Sequence, residues 1–171
     1  MAEEIALFPL NIVLYPEMLL PLHIFEPRYV RMVRECQADD QPFGVVLIRE
    51  DEHGHQLPCE VGTAARIREL EALQDNRYMV LTVGERRFRI LDLLDRDERL
   101  FATIEYFDDD PSTAHGSEEL VAEVRGLSAE QLRLVREARG RPAAEDVVPQ
   151  EPVLLSFFLA ASVELPLTTR Q

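Results

Sequence analysis

The segment that begins at Asp51 contains the closest grouping of metal-ligand side chains in the sequence. His53 and His55 are two residues apart, so they would share one face of an extended strand, and Cys59 could supply a third ligand to zinc. The sequence offers no evident fourth ligand. Because a solvated hairpin that turns at Gly54 accounts for the same residues, we favour the hairpin and expect neither a metal nor another cofactor.

Cys36 is the candidate nucleophile, and His23 is its only plausible base. Apolar residues recur with the i, i+3, i+4 and i+7 spacing of one helix face, at Tyr29, Met32, Val33 and Cys36 itself. This spacing explains Cys36 as a buried core residue, and a buried thiol is usually inert. None of the serines lies in a GxSxG motif, so we expect no covalent catalysis.

The basic residues exclude further classes of enzyme, because all 18 are arginine and lysine is absent. A phosphate-binding loop of the GxxxxGK[ST] type, a Ser-Lys dyad and a Schiff base each require a lysine. The sequence therefore predicts that the chain is not an enzyme of these types. We expect no catalytic residues.

The charge balance limits the partners of the protein. A formal net charge of −14 repels phosphate backbones and anionic lipid heads, so we expect neither nucleic acid nor membrane as a partner. Cys36 and Cys59 form no disulfide framework, and the acidic amino end does not resemble a secretory signal. These features predict a cytoplasmic protein with reduced thiols.

The segment from Met18 to Cys36 combines a strand with a helix, and the rest of the chain is organised around it. Inward residues alternate with outward ones in the order Leu20, Pro21, Leu22, His23, Ile24 and Phe25. Pro27 ends this strand and suits the first position of a helix, which we place at about residues 27–38. Glu26 puts a negative charge at the positive end of the helix dipole.

Short strands with turns between them follow up to residue 107, and the later periodicity is helical. We divide the chain into a β lobe at 1–107, an acidic linker at 108–117 and a helical lobe at 118–171. Within the β lobe the pattern predicts a bend between Ile67 and Leu70 and a turn at Gly84. Within the helical lobe a capping box at Ser128 predicts that a new helix begins there.

Several strings of this sequence resemble the N-terminal substrate-recognition domain of Lon proteases and its stand-alone relatives. They are Phe8-Pro9-Leu10, Pro16, the run PLHIFEPRY from Pro21 to Tyr29, FGVV from Phe43, VGTA from Val61 and GERRFRI from Gly84. The resemblance implies an α+β, mainly β fold, in which a PUA-like six-stranded pseudo-barrel with one early helix is followed by a C-terminal helical lobe. It also implies that this lobe continues after Gln171, so we expect the chain to end before its final helix.

The same resemblance implies a non-catalytic polypeptide-binding module that acts as an adaptor or recruiter in protein quality control. The implied partners are unfolded or apolar-tagged polypeptides or a protease component. Separately, the helix expected at 153–165 is apolar nearly all round, so we expect that the helical lobe could form homo-oligomers through its exposed surface. The candidate binding residues are Pro21, His23, Phe25, Glu26, Arg28, Tyr29, Arg66 and Arg87.

These binding residues also have structural explanations. Glu26 and Arg28 could form an ion pair that fixes the turn around Pro27, and Arg66 and Arg87 could pair with acidic residues of neighbouring strands instead of an acidic peptide or phosphate. Two further functions stay open. PUA-like barrels include readers of RNA or nucleotides, and a small-ligand sensor or minor hydrolase could use His23 and Cys36.

Overall fold

The chain up to Phe107 forms one six-stranded sheet. The structure is a computed structural model that describes residues 2–109, 118–140, 148–163 and 166–170. The strands are β1 (Glu3–Leu10), β2 (Leu19–Ile24), β3 (Phe43–Glu50), β4 (Gln56–Ala72), β5 (Tyr78–Arg96) and β6 (Arg99–Phe107). Their order is β2-β5-β4-β3-β1-β6, and β5 also pairs with β6. This extra pairing closes five strands on themselves and leaves β2 at an open edge, so the predicted mainly β, six-stranded fold is confirmed.

The early helix, α1 (Pro27–Asp39), covers one face of this sheet. Pro27 occupies the first turn, and Asp40 ends the helix in a left-handed conformation with φ of 50°. Val30, Met32, Val33 and Cys36 are buried on the inner side of α1. The predicted periodicity of this helix is therefore confirmed.

The sheet has apolar residues on both sides, which form two clusters. One lies under α1 and includes Phe8, Phe43 and Val80. The other surrounds Phe88, which is fully buried together with Ile104 and neighbouring residues. Successive residues of β1 and β3 alternate between the two clusters, which is why these strands are apolar almost without interruption.

Two predictions about the long strands had different outcomes. The bend in β4 is confirmed, because the register between β4 and β5 shifts between Ile67 and Glu69. The turn at Gly84 is wrong, because β5 runs without interruption from Tyr78 to Arg96. Gly84 is needed there for a close approach of the backbone of Tyr15, not for a turn.

The helical part of the chain contains α2 (Glu118–Ala138) and α3 (Pro152–Ser162). The predicted helix start at Ser128 is wrong, because α2 is continuous there and the Ser128 hydroxyl donates to the carbonyl of Val124 at 2.7 Å. In α3 the most buried side chain is Leu155. No helix among the described residues is both long and apolar enough to cross a bilayer.

The chain divides into two compact units, Met1–Asp108 with Leu165–Gln171 and Asp109–Glu164. The short helix α4 (Leu167–Arg170) therefore groups with the sheet, whereas the sequence grouped it with the other helices. One contact that holds it is a hydrogen bond of 2.8 Å from the Tyr15 hydroxyl to the Arg170 carbonyl. Most of the predicted acidic linker, residues 110–117, lies outside the described residues.

Candidate functional site

The outward side of β2 carries exposed apolar side chains. Leu19, Pro21 and His23 alternate with inward residues and are all exposed, and Phe25 follows at the end of the strand. Leu19 is 58% exposed and Phe25 is 61% exposed. The rings of His23 and Phe25 are 5.7 Å apart, so these two side chains extend one continuous surface.

The neighbouring strand β5 extends this surface. Met79 pairs with His23 and Leu81 pairs with Pro21, and paired residues of an antiparallel sheet point to the same side. Met79 is 40% exposed. We call the side chains of Leu19, Pro21, His23, Phe25, Met79 and Leu81 the β2 face.

Two carboxylates border the β2 face along β4, the strand next to β5. Glu69 of β4 pairs with Leu81, and Glu71 pairs with Met79, so both carboxylates project on the same side of the sheet as the apolar residues. Both glutamates are exposed. The β2 face is thus apolar over its two strands, with two carboxylates next to it on the third.

The turn between β2 and α1 is fixed by an ion pair. The guanidinium of Arg28 is 2.8 Å from the Glu26 carboxylate and lies 4.6 Å from the centre of the Tyr29 ring. Tyr29 packs on Phe8, with ring centres 4.3 Å apart. Burial raises the pKa of the Tyr29 hydroxyl, with Arg28 lowering it and Glu26 raising it less strongly. Tyr29 therefore belongs partly to the core, and the predicted pair of Glu26 and Arg28 is present.

Arg66 lies at the opposite end of α1. Its Nε donates to Glu85 at 2.5 Å, and its terminal nitrogen donates to the carbonyl of Asp40 at 2.9 Å and to its carboxylate at 3.1 Å. The hydrogen bond to Glu85 raises the pKa of Arg66. Because Asp40 follows the last turn of a helix that begins after Glu26, the two ion pairs are roughly 20 Å apart at 1.5 Å per residue. Arg66 pairs with Val83 of β5, which pairs with Leu19, so Arg66 lies two strands from the Leu19 end of the β2 face while these ion pairs hold its guanidinium.

Arg87 also lies apart from the turn before α1. It is on β5 opposite Phe107 of β6, and its guanidinium is 4.7 Å from the centre of that ring. On the other side it pairs with Thr63 of β4. The binding roles of Arg66 and Arg87 remain predictions.

Of the candidate metal ligands, the two histidines lie together with ring centres 6.1 Å apart, but Cys59 does not share their exposure. Asp51 accepts hydrogen bonds from the backbone of His53 and from the backbone and ring of His55, and the bond from the His55 backbone is the main cause of its lowered pKa. Cys59 is buried whereas both histidines are exposed. Within the described residues no group of three His, Cys, Asp or Glu side chains is placed to hold a metal ion.

The nucleophile hypothesis is not supported by the position of Cys36. Its thiol is on the buried side of α1, whereas His23 is on the exposed side of β2. Burial, assisted by Glu35, raises the pKa of the Cys36 thiol to about 11, so the reactive thiolate is scarce at neutral pH.

The sequence reasoning missed three members of the β2 face, Leu19, Met79 and Leu81, and the two carboxylates that border it, Glu69 and Glu71. Leu19 is two residues before Pro21, so the alternation of β2 places it on the same outward side as Pro21 and His23 and could have identified it. Met79, Leu81 and the glutamates carry no such signal, because their position depends on which strands pair and in which register.

The fold first defines the class of the protein, a six-stranded, mainly β domain with one early helix packed on its sheet. Within that class, the chain belongs to the family of the ATP-dependent protease La (LON) substrate-binding domain, whose model matches residues 4–171. The family predicted from the sequence is confirmed.

Curated relatives are full Lon proteases. Lon protease 2 from Myxococcus xanthus is 28% identical over 99% of this chain and 21% of its own length. Lon protease from Escherichia coli strain K12 is 27% identical over 98% of this chain and 22% of its own length. The chain thus spans about a fifth of the length of the curated relatives it matches.

Solved structures of the same kind share the fold. The Lon N-terminal domain protein from Xanthomonas campestris superimposes with a TM-score of 0.63 at 29% identity, over 92% of this chain and 98% of that one. The N-terminal domain of Mycobacterium avium complex Lon protease gives a TM-score of 0.60 at 17% identity, over 81% of this chain and 72% of that one. The second likeness supports the fold alone.

Proposed function

We propose that this chain is a non-catalytic module that binds unfolded or apolar-tagged polypeptides through the β2 face. The observation that carries the proposal is the continuous exposure of Leu19, Phe25 and Met79 on one side of a sheet. Large apolar side chains exposed together favour burial against a partner, since each gains roughly 25 cal/mol per Å² removed from water. Folded proteins bury most of their large apolar side chains, whereas unfolded chains expose them.

The turn residues extend this surface. Glu26 and Arg28 present a charged pair next to Phe25, and Tyr29 supplies the edge of an aromatic ring held by Phe8. In this proposal Pro21, His23 and Phe25 make direct contact with the client, and Glu26 and Arg28 orient its polar groups. Arg66 and Arg87 are proposed as outlying contacts that a longer client would reach.

We further propose that the module recruits clients for proteolysis. The family is described as a protease substrate-binding domain, and the curated relatives are named Lon protease. A chain that presents clients to a protease component needs a surface of moderate affinity rather than a closed pocket, because the client must be released. A stand-alone adaptor in the cytoplasm would meet this requirement.

Self-association through the helices is a separate part of the proposal. Leu120, Leu127 and Leu134 are seven residues apart on α2, and each is more than half exposed. A spacing of seven places them along one seam of a helix, as in coiled coils. Sedimentation equilibrium tests this part, and a monomer at all concentrations would remove it.

The proposed function is tested by titration with an unfolded client. Fluorescently labelled, reduced and alkylated lysozyme serves as the client, and native lysozyme is the matched control. Saturable binding of the unfolded form with little binding of the native form is the expected result. Failure to bind unfolded lysozyme, unfolded α-lactalbumin and short apolar peptides would contradict the proposal. Binding of RNA alone would favour the alternative of a PUA-like RNA reader.

A further inference from the structure

The edge of the sheet at β2 is open along its backbone. Strand β2 is the first in the order of the sheet, and among the described residues it pairs with β5 alone. Its other side therefore has no strand to receive the N–H and C=O groups that point away from β5.

The register identifies which backbone groups point to the open side. The N–H of Gly84 donates to the carbonyl of Met18 at 3.0 Å just before β2, and the pairing continues as Leu19 with Val83 and Leu20 with Thr82. Bonded and non-bonded pairs alternate in an antiparallel ladder. Leu20 and Leu22 therefore bond to β5, whereas the backbone groups of residues 19, 21 and 23 point outward.

Pro21 occupies the middle of these three outward positions. A proline has no N–H, so it is tolerated where that group would point to the open side and not into the ladder. It leaves two outward donors, on Leu19 and His23, and three outward carbonyls. Charged side chains often protect an open edge, but β2 contains none, and Pro21 is the residue within it that interrupts the outward donors.

We propose that an extended segment of the client adds to the open edge of β2 as a further antiparallel or parallel strand. This inference rests on the proposed function and specifies how the client is held. The carbonyls of the client accept hydrogen bonds from the N–H groups of Leu19 and His23, and the outward carbonyls of β2 accept from the client. Alternate side chains of the client then continue the β2 face.

The charges around the edge indicate the composition of such a client. Glu69 and Glu71 lie on β4, three strand spacings or roughly 14 Å from the backbone of an added strand. A lysine or arginine that reaches across the apolar residues of β2 comes within a Debye length of these carboxylates, about 8 Å at physiological salt. The preferred client is thus an extended apolar segment that alternates with basic residues.

Amide hydrogen exchange tests strand addition without any substitution. The amides of Leu19 and His23 are expected to exchange rapidly in the free protein and to be protected when reduced and alkylated lysozyme saturates it. The amides of Leu20 and Leu22, which already bond to β5, should change little. The proposal would be overturned if the client binds but the amides of residues 19 and 23 still exchange rapidly. It would also be overturned if both amides are already protected in the free protein because a second copy pairs with the edge.

A pair of variants separates the backbone of His23 from its side chain. His23→Pro removes both the imidazole and the outward N–H, and we expect a loss of affinity for unfolded lysozyme of more than about ten-fold. His23→Ala also loses the imidazole contact but keeps the N–H, so it should bind about ten-fold more tightly than His23→Pro. Equal affinities of the two variants would overturn strand addition while leaving the proposed function intact.

A modified peptide gives the same test from the side of the client and does not depend on the folding of a variant. The probe is a short synthetic peptide in which valine and lysine alternate. N-methylation of one alternate set of its amides should abolish binding, and N-methylation of the other set should be tolerated. Equal effects of the two sets would contradict strand addition, and acidic residues in place of lysine should weaken binding.

Discussion

A side chain at position 84 would collide with the backbone at Tyr15. A Cβ added to Gly84 would lie 2.2 Å from the carbonyl oxygen of Tyr15. The Gly84 carbonyl also accepts a hydrogen bond from the Glu17 N–H at 2.8 Å, and the Gly84 N–H donates to Met18. The segment before β2 is therefore held against the middle of β5, and this contact positions the open edge of the sheet.

Gly84→Ala should destabilise the sheet because a backbone atom, rather than a flexible side chain, must move. We expect a loss of about 2 to 3 kcal/mol in the free energy of unfolding, measured by urea denaturation. The control is Gly126→Ala, since Gly126 lies in α2 with no atom near the added Cβ, and it should gain up to about 1 kcal/mol. Equal effects of both substitutions would show that the close approach to Tyr15 does not constrain the fold.

Gly84 also shows the limit of the sequence pattern. A glycine between two apolar runs indicates a turn when only neighbouring residues are considered. Its real cause is a contact with Tyr15, almost seventy residues earlier, which no local pattern contains. By contrast, the bend in β4 was predictable from nearby residues alone. Ile67 and Leu70 are three residues apart and would lie on opposite sides of a regular strand, so both can face the core only if the strand bends between them.

Ser128→Ala distinguishes a helix start from a helix interior. The Ser128 hydroxyl bonds to Val124 one turn earlier, so alanine should change the stability of α2 by at most about 0.5 kcal/mol. Glu151→Ala is the positive control, because the Glu151 carboxylate accepts from the N–H of Leu154 at 2.8 Å and caps α3. It should cost about 1 kcal/mol by urea denaturation monitored by circular dichroism. A larger loss at Ser128 would restore the capping interpretation.

The buried thiol of Cys36 should make stability depend on alkaline pH. Its pKa is about 11 in the folded protein against an ordinary value of 9.0, so the folded state retains the proton longer than the unfolded state. The free energy of unfolding is therefore unaffected by ionisation of this thiol below pH 9. It falls by on the order of 2 kcal/mol as the pH rises from 9 to about 11. Cys36→Ala should flatten the fall in unfolding free energy over this range.

Cys59→Ala is the matched control for that measurement. Burial also raises the pKa of the Cys59 thiol, but Cys59 lies outside the cluster under α1. Most of the alkaline fall should persist in this variant. An unchanged fall in Cys36→Ala would contradict the assignment of the effect to Cys36.

Arg66→Met separates a structural from a binding role of this arginine. The substitution keeps the apolar stem but removes the bonds to Glu85 and Asp40, and we expect a loss of about 1 kcal/mol in stability. The affinity for a short apolar peptide should stay within about two-fold, because Arg66 is proposed as an outlying contact that only a longer client reaches. A larger loss of affinity with unchanged stability would place Arg66 on the binding surface instead.

The candidate site was predictable in part. Pro21, His23 and Phe25 were identified because a strand of alternating character has an outward side that can be read from its own residues. The sequence could not place Met79 and Glu71 beside them, since both depend on the register of β5 with its two neighbours. The place of Arg66 depends in the same way on the pairing of β4 with Val83 of β5, and its binding role stays a prediction.

The central claim, that the β2 face binds polypeptide, is tested most directly by removing its apolar side chains. The double variant Leu19→Ser with Phe25→Ser should fold normally, because both side chains are mainly exposed. The control is Leu91→Ser with Leu93→Ser, which removes two exposed leucines elsewhere on β5. The account predicts a loss of about ten-fold or more in affinity for unfolded lysozyme for the first pair and little change for the second. Equal affinities of the two double variants would contradict it.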